Sequence, residues 1–181
     1  MSSEFCVKPE TTSLINDVQT NWYIFYTYPR AEKIVRCELE KKGYEVFLPM
    51  RKEFKIWKNR QKKFIDNVLF TGYIFVNTHV HEIYNVLKTP KIVTYIGCGG
   101  KPSFLRPKEI QCIRMMINLD PNFMVESTFC EGQKVRIVSG PLIGHEGVLI
   151  EKKGKSKFGI QLKEINHSVF IDISVSALEK L

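Results

Sequence analysis

The chain has 181 residues, of which 44% are hydrophobic and 25% charged, a globular composition that excludes disorder throughout. Its 27 basic and 19 acidic residues leave a net charge of +8, which favours a polyanionic partner. No run approaches the roughly 18 consecutive apolar residues of a membrane helix, and Met1–Asn21 lacks the pattern of a signal peptide. We therefore expect a cytoplasmic protein without membrane contact.

No pattern for catalysis or metal binding is complete. The five cysteines are scattered and form no Cys-x-x-Cys pair, which indicates free thiols. His81-Glu82-Ile83-Tyr84-Asn85 begins like a zinc-protease motif but has asparagine where the second histidine is needed. His79 and His81 supply only two ligands, and Gly154-Lys155-Ser156 lacks the first glycine of a P-loop. We predict a protein that is not an enzyme and that has no cofactor.

Strand and helix patterns alternate in the first part of the chain. Trp22–Thr27 is aromatic and β-branched, which predicts a strand. A helix then begins after Tyr28-Pro29 and ends at Gly43. Its expected apolar face is Ala31, Ile34, Val35 and Leu39. The further expected elements are strands at Tyr44–Leu48 and Val68–Val76, a short helix at His79–Leu87, a strand at Ile92–Ile96, and a helix from Pro107 with Ile110, Ile113, Met116 and Ile117 on one face. This β-α-β-β-α-β order predicts a ferredoxin-like antiparallel sheet with helices on one face and the other face open.

A strongly basic segment interrupts this order. Arg51–Lys63 contains seven basic residues and one acid, Glu53, so it accounts for +6 of the net charge. We interpret it as a β-hairpin whose cations neutralise phosphates while its aromatic residues contact sugar or base. A solvated hairpin that only keeps the protein soluble would have the same composition. The candidate contacts are Lys55, Lys58, Arg60, Lys62 and Lys63, and the interleaved aromatic residues are Phe54, Trp57 and Phe64.

The sequence changes character near Leu119–Phe129, where turn-forming residues end the last helix and neither period continues. Downstream, β-branched residues alternate with polar ones in short strands separated by glycine-containing turns, which predicts a small all-β barrel. The chain is therefore predicted to be α+β. Its predicted parts are an N-terminal extension at residues 1–20, a first domain at 21–118, a flexible linker at 119–130 and a second domain at 131–181.

Three segments resemble the NusG family of transcription factors, in which an NGN domain is linked to a KOW domain. Trp22-Tyr23-Ile24-Phe25 resembles the first strand of the family, and Val135–Val148 resembles the KOW consensus. Phe70-Thr71-Gly72-Tyr73-Ile74-Phe75-Val76 resembles its Phe-Pro-Gly-Tyr-hydrophobic signature, with Thr71 in place of the common proline. The overall pattern is closer to the RfaH-like and UpxY-like antiterminators of polysaccharide operons than to a housekeeping factor.

The resemblance implies a monomeric, non-catalytic factor that binds RNA polymerase and reduces pausing or termination. The aromatic residues expected to dock on the polymerase clamp are Trp22, Tyr23, Phe70 and Tyr73, each of which could instead belong to the protein's own core. The residues expected to contact the opposite side of the cleft or the non-template DNA strand are His81, Asn85 and Lys88. The KOW domain is expected to bind a partner such as a ribosomal protein or Rho.

A free-standing RNA-binding module is the main alternative. Thr71-Gly72-Tyr73-Ile74-Phe75-Val76 also resembles the third-strand signature of an RRM, whose aromatic residues stack on bases, and the βαββαβ order is the same. Thr71 and Ile74 depart from that signature, and an RRM would leave the second domain unexplained. A ribosomal KOW protein is disfavoured because such proteins have denser and more diffuse basic charge.

Overall fold

A computed structural model describes residues 20–56, 60, 62–120, 123–127, 132–152 and 155–181. Three α-helices and fifteen strands are found in these residues. The helices are α1 (Glu32–Lys41), α2 (Ile83–Leu87) and α3 (Pro107–Leu119). The strands of the first part are β1 (Asn21–Thr27), β2 (Glu45–Phe47), β3 (Met50–Ile56), β4 (Lys62–Val68), β5 (Tyr73–Thr78), β6 (Ile92–Tyr95), β7 (Gly97–Cys98), β8 (Lys101–Pro102) and β9 (Phe104–Leu105). Those of the second part are β10 (Met124–Glu126), β11 (Gln133–Ile137), β12 (Glu146–Lys152), β13 (Lys155–Leu162), β14 (His167–Asp172) and β15 (Leu178–Lys180).

The first domain is built on an antiparallel sheet with strand order β2-β5-β1-β6, and β9 pairs with part of β1. This is the strand order of a ferredoxin-like domain, and the predicted α+β class is confirmed. Helices α1 and α2 cover one face through Val35, Leu39, Ile83 and Val86. Ile34, predicted to share the buried face of α1, is instead 48% exposed.

Both faces of this sheet are covered, so the expectation of an open second face is wrong. Helix α3 packs on that face through Ile110, Ile113 and Met116. Buried residues of β13 and β14 belong to the same hydrophobic cluster, so the second domain completes the cover. Burial of this much apolar surface is the dominant favourable term in folding, which explains why the face does not stay bare.

The predicted strand Val68–Val76 is also wrong in its bounds. Strand β4 ends at Val68, residues 69–72 form a turn, and β5 begins at Tyr73. The break occurs because Gly72 adopts a φ of +83°, a left-handed conformation that does not continue a strand.

Strands β3 and β4 form a separate two-stranded hairpin, as the basic segment predicted. Met50 and Val68, which pair at its base, pack against the core beneath α1 and α2. The predicted contact Lys58 and the side chain of Lys55 lie outside the described residues, as does Trp57.

The second domain is an all-β antiparallel sheet with strand order β10-β14-β13-β12-β11-β15. Its first strand, Met124–Glu126, comes from the segment expected to be a flexible linker and pairs with Ser168–Phe170 of β14. The sequence pattern gave no indication of this strand. It ties the connection between the domains to the edge of the second sheet.

A lysine and an aspartate pair across β13 and β14. The side chain of Lys157 is almost buried and donates a hydrogen bond to Asp172 Oδ1, while Lys155 Nζ lies 3.0 Å from Oδ2. Hydrogen bonds from Lys157 and then from Lys155 lower the pKa of Asp172 below its usual value.

We therefore expect Asp172→Asn to destabilise the protein at pH 7, because it leaves the Lys157 ammonium without its anionic partner. Because the folded-state pKa is lowered, the stabilisation is present above the unfolded-state pKa of about 4 and is lost as the pH falls through the lower folded-state value. Urea unfolding at a series of pH values should show the two proteins converging below about pH 4. Glu151→Gln on the neighbouring strand, an exposed carboxylate, is the control. A difference that is constant with pH would contradict the role of the carboxylate charge.

Candidate functional site

Aromatic side chains from β1, the turn after β4, and β5 meet on the face of the first sheet toward the second domain. Strand alternation places Trp22 on this face with Tyr73 and Phe75, while Tyr23 points to the opposite face. Tyr23 contacts Phe104 there, with ring centroids 6.0 Å apart. Three of the four predicted docking residues are therefore brought together, and Tyr23 is not. We call Trp22, Phe47, Phe70, Tyr73 and Phe75 the aromatic surface.

Phe70 and Tyr73 are held by a tight turn. The Tyr73 amide donates to the Phe70 carbonyl at 3.0 Å, and Gly72 at the third position has the positive φ of a type II turn. The Gly72 amide donates to Glu32 Oε1 at 2.8 Å, and the Gly72 carbonyl accepts from the Thr27 amide at 2.8 Å. The turn is therefore tied to both α1 and β1, which fixes where the two rings point.

The second domain contacts the aromatic surface at Phe70 and Tyr73 in this structure. The ring of His167, the first residue of β14, lies 5.5 Å from the Phe70 ring and 5.8 Å from the Tyr73 ring, both edge to face. His167 is oriented by its own Nδ1, which donates to the Ile165 carbonyl at 2.6 Å. Phe70 is completely buried, Trp22 is nearly so and Tyr73 is partly buried.

Cys112 and Phe123 extend this contact between the domains. Cys112 of α3 is buried and, with Gly144–Val148 of the second domain, lines a cleft of about 550 Å³. Burial raises the pKa of its thiol to about 12. Phe123, in the expected linker, is 1% exposed and belongs to the shared hydrophobic cluster.

Two arginines border the shared core. The Arg51 guanidinium lies 5.6 Å from the centroid of the Phe123 ring, and its Nη1 donates to the Phe123 carbonyl at 3.3 Å. The Arg114 guanidinium lies over the rings of Trp22 and Phe47, at 5.4 and 5.0 Å from their centroids. Such contacts between a cation and an aromatic face are attractive. Sequence reasoning missed Arg114, Phe123 and His167, because their partners are distant in the chain.

A second candidate region lies on the exposed face of α2 and the 3₁₀ turn before it. His81, Asn85 and Lys88 follow one another at helical spacing and are all exposed, and Lys88 Nζ donates to Asn85 Oδ1 at 3.3 Å. Tyr84, 69% exposed, lies beside them. The predicted residues are thus brought together, and we call these four residues the α2 surface. The spacing of Tyr84, three residues after His81, would have identified it.

The basic hairpin is the third candidate region. Three of the predicted phosphate contacts, Arg60, Lys62 and Lys63, are exposed. Exposure is required for contact with a polyanion. Arg51 is not free, because its Nη2 pairs with Glu53 Oε1 at 2.5 Å. Phe54 and Phe64 lie directly opposite each other on the two strands, with ring centroids 5.2 Å apart.

In the part of the chain that the structure describes, no group of three or more histidine, cysteine, aspartate or glutamate residues could hold a metal ion. No helix within the same residues has the length and apolar character needed to cross a bilayer. Among these residues, His79 Nδ1 is a buried side-chain nitrogen without a hydrogen-bond partner, and the His79 ring stacks on that of His81 with centroids 5.2 Å apart.

Comparison with known proteins agrees with this architecture. A family model described as "Transcription termination factor nusG" matches residues 20–114. A transcription termination/antitermination protein NusG from Halalkalibacterium halodurans is 25% identical over 179 residues, covering 91% of this chain and all of the relative. The NusG of Bacillus subtilis is 26% identical with the same coverage. A solved structure described as a domain interaction in Thermotoga maritima NusG has a TM-score of 0.52 at 23% identity, and the match covers 90% of this chain and 98% of that one.

The chain has an α+β domain followed by an all-β domain. It matches transcription termination/antitermination proteins over their whole length. These two observations define the class, a two-domain transcription factor. Because the family model matches more than half of the sequence, the chain belongs to the NusG family. It is a transcription termination/antitermination factor, as its curated relatives are. The fold match to the Thermotoga maritima structure agrees with the α+β class and with the order of the two domains.

The glycine in the turn between Phe70 and Tyr73 gives a test of this geometry. Gly72 and Gly43 have similar positive φ values, +83° and +87°, so alanine at either position costs about 1–2 kcal/mol. A Cβ at Gly72 would also lie 2.9 Å from Tyr26 Cε2, whereas at Gly43 it would meet nothing within 4 Å. We expect Gly72→Ala to lower the free energy of unfolding, measured in urea, by about 1 kcal/mol more than Gly43→Ala. Equal losses would show that Tyr26 moves aside without cost.

Proposed function

We propose that this chain is a non-catalytic elongation or antitermination factor that binds RNA polymerase through the aromatic surface and thereby reduces pausing or termination. The observation that supports this most directly is the burial of Phe70 and Tyr73 against His167. An aromatic surface that excludes water with one protein domain has the apolar character needed to bind another. Aromatic residues clustered around a fixed turn are typical of the few residues that dominate an interface.

Polymerase and the second domain compete for the same surface in this proposal. The second domain is covalently tethered, so it is present at a high effective concentration near the aromatic surface. Polymerase must bind this surface tightly enough to compete with that tethered domain. Docking therefore requires the two domains to separate, and the affinity for polymerase is reduced by the fraction of molecules that are closed. The protein would bind polymerase weakly until something favours the open form.

The α2 surface and the basic hairpin are proposed to contact other parts of the elongation complex. His81, Asn85 and Lys88, with Tyr84, offer a polar and aromatic surface for the opposite side of the polymerase cleft or the non-template strand. The exposed cations Arg60, Lys62 and Lys63 are suited to phosphates. The second domain, once released, would offer its newly uncovered surface to a partner such as a ribosomal protein or Rho. A specialised role at polysaccharide-type operons remains a prediction from the sequence pattern.

A free-standing RNA-binding module receives less support. RRM-like recognition needs aromatic residues of the central strands to be open to bases. Phe75 of β5 is fully buried here, and α3, an element of the same domain, packs on the sheet face that contains it.

Truncating Tyr73 tests the docking surface. We expect Tyr73→Ala to weaken capture of the chain by RNA polymerase at least tenfold, because loss of a central aromatic anchor typically costs about 2 kcal/mol or more. The measurement is a pull-down with purified polymerase, quantified over a concentration series and repeated after nuclease treatment.

Tyr28→Ala is the matched control for this pull-down, because Tyr28 is 61% exposed and lies outside the three candidate regions. Capture of the unmodified chain that survives nuclease supports protein docking. Capture that disappears with nuclease, or that Tyr73→Ala leaves intact, would favour the RNA-binding alternative instead.

A substitution that weakens the contact between the two domains tests whether the second domain and polymerase compete for the aromatic surface. Phe123→Ala removes a ring buried in the shared core, a change that costs roughly 3–5 kcal/mol in typical cores. We expect this variant to populate the open form and to bind polymerase more tightly than the unmodified chain. We also expect the Cys112 thiol to react roughly tenfold faster or more with a thiol reagent at pH 8, because exposure relieves the burial that raises its pKa.

The thiol measurement uses chains in which Cys6, Cys37, Cys98 and Cys130 are replaced by serine, so that only Cys112 reacts. Leu119→Ala, at the exposed end of α3, is the control. Faster Cys112 reaction with unchanged polymerase binding would mean that closure does not regulate docking.

A further inference from the structure

The two faces of the basic hairpin differ in chemistry. Residues directly opposite in an antiparallel pair point to the same side, and successive residues alternate. The register pairs Phe54 with Phe64, Ile56 with Lys62, and Lys52 with Asp66, so these six share one face. The other face holds the pairs Arg51 with Asn67 and Glu53 with Ile65, and also Lys63.

The second of these faces is occupied by contacts within the protein. Arg51 pairs with Glu53, and Asn67 donates a hydrogen bond to the same carboxylate. Arg51 also contacts both the ring and the carbonyl of Phe123. We call this side, with Arg51, Glu53 and Asn67, the inner face of the hairpin.

The first face is apolar, aromatic and open to solvent. Phe54, Ile56 and Phe64 are 51%, 64% and 69% exposed, and the two phenyl rings are 5.2 Å apart and tilted by 58°. Lys52 and Lys62 on the same side are exposed as well. We call Lys52, Phe54, Ile56, Lys62, Phe64 and Asp66 the outer face; Asp66, its one acidic residue, is exposed and lies opposite Lys52.

We infer that the outer face is a stacking platform for single-stranded nucleic acid. Exposed aromatic rings offer surfaces on which unpaired bases stack, and lysines beside them neutralise the phosphates that connect those bases. The net charge of +6 on Arg51–Lys63 complements a nucleic-acid strand and opposes a basic protein partner. The bases of a duplex are already stacked on each other, so their π-faces are not available to these rings.

This inference deepens the proposed nucleic-acid contact of the hairpin and rests on it, but it needs no contact between the aromatic surface and polymerase. It also divides the basic residues predicted from the sequence. Lys62 lies on the outer face next to the rings, whereas its exposed neighbour Lys63 lies on the inner side. Strand alternation alone places these two lysines on opposite faces but does not show which face is open to solvent.

A cross-strand aromatic pair also stabilises a hairpin, and that role alone would explain its presence. The experiment must therefore separate stacking on bases from folding of the hairpin. Isoleucine keeps the β propensity and the apolar character of the positions but removes the aromatic ring. Tyrosine keeps the ring.

The test measures binding of the full chain to a fluorescent twelve-residue oligothymidine by anisotropy, without polymerase present. We expect the unmodified chain to prefer this strand to a twelve-base-pair duplex. Phe54→Ile with Phe64→Ile should raise the Kd at least tenfold, and Phe54→Tyr with Phe64→Tyr should leave it within about twofold. Amide hydrogen exchange of β3 and β4 in each variant checks that the hairpin stays folded.

The two neighbouring lysines provide a matched pair for the salt dependence. Lys62→Gln should reduce the slope of log K against log salt by about 0.7, the value for one phosphate contact on a single strand, and Lys63→Gln should change it less. These measurements are independent of the polymerase pull-down, so either proposal can fail alone.

Three results would overturn the inference: equal affinity for the duplex, an unchanged Kd in the double isoleucine variant with a folded hairpin, or equal effects of the two lysine substitutions. If the isoleucine variant loses polymerase capture while keeping oligothymidine binding, the outer face docks on protein instead.

Discussion

The rings of Phe70 and Tyr73 and the imidazole of His167 exclude water together, and they belong to two different domains. Burial of apolar surface is favourable whichever protein provides the cover, because the hydrophobic effect is proportional to area and has no direction. The same residues can therefore close the chain on itself or dock it on a larger partner. In the NusG-family chain described here, the internal cover is in place.

The connection between the domains reinforces this closure. Strand β10 pairs with the edge of β14, the strand that also contains His167, and Phe123 just before β10 lies in the shared core. A segment that would otherwise be a free tether thus contributes backbone hydrogen bonds and a buried ring to the closed form. Arg51 extends the arrangement to the basic hairpin, because it contacts Phe123 and Glu53 at once. The inner face of the hairpin and the domain contact are therefore parts of one network.

Local patterns predicted much of the fold. The helix from Pro107, the hairpin at the basic segment and the alternating strands after residue 131 were found where periodicity and turn residues indicated them. The errors have local causes too. The Val68–Val76 run consists mostly of β-branched and aromatic residues, and the left-handed conformation of Gly72 divides it. Ile34 follows the apolar helical pattern, yet it is half exposed among the residues that the structure describes, and periodicity alone does not reveal which side of a helix has a neighbour.

The candidate site divides in the same way. Motif and charge identified Phe70, Tyr73, the α2 surface and the basic hairpin, because each of these patterns lies within one short segment of the sequence. The family could also be recognised from the sequence, because the three characteristic segments occur in the expected order and spacing. Only the tertiary structure decided which face of the sheet Tyr23 lies on, that His167 covers Phe70 and Tyr73, and that Lys62 rather than Lys63 lies on the open side of the hairpin. The faces depend on which elements pack against each strand, and the His167 contacts join residues about a hundred positions apart through the packing of the two domains.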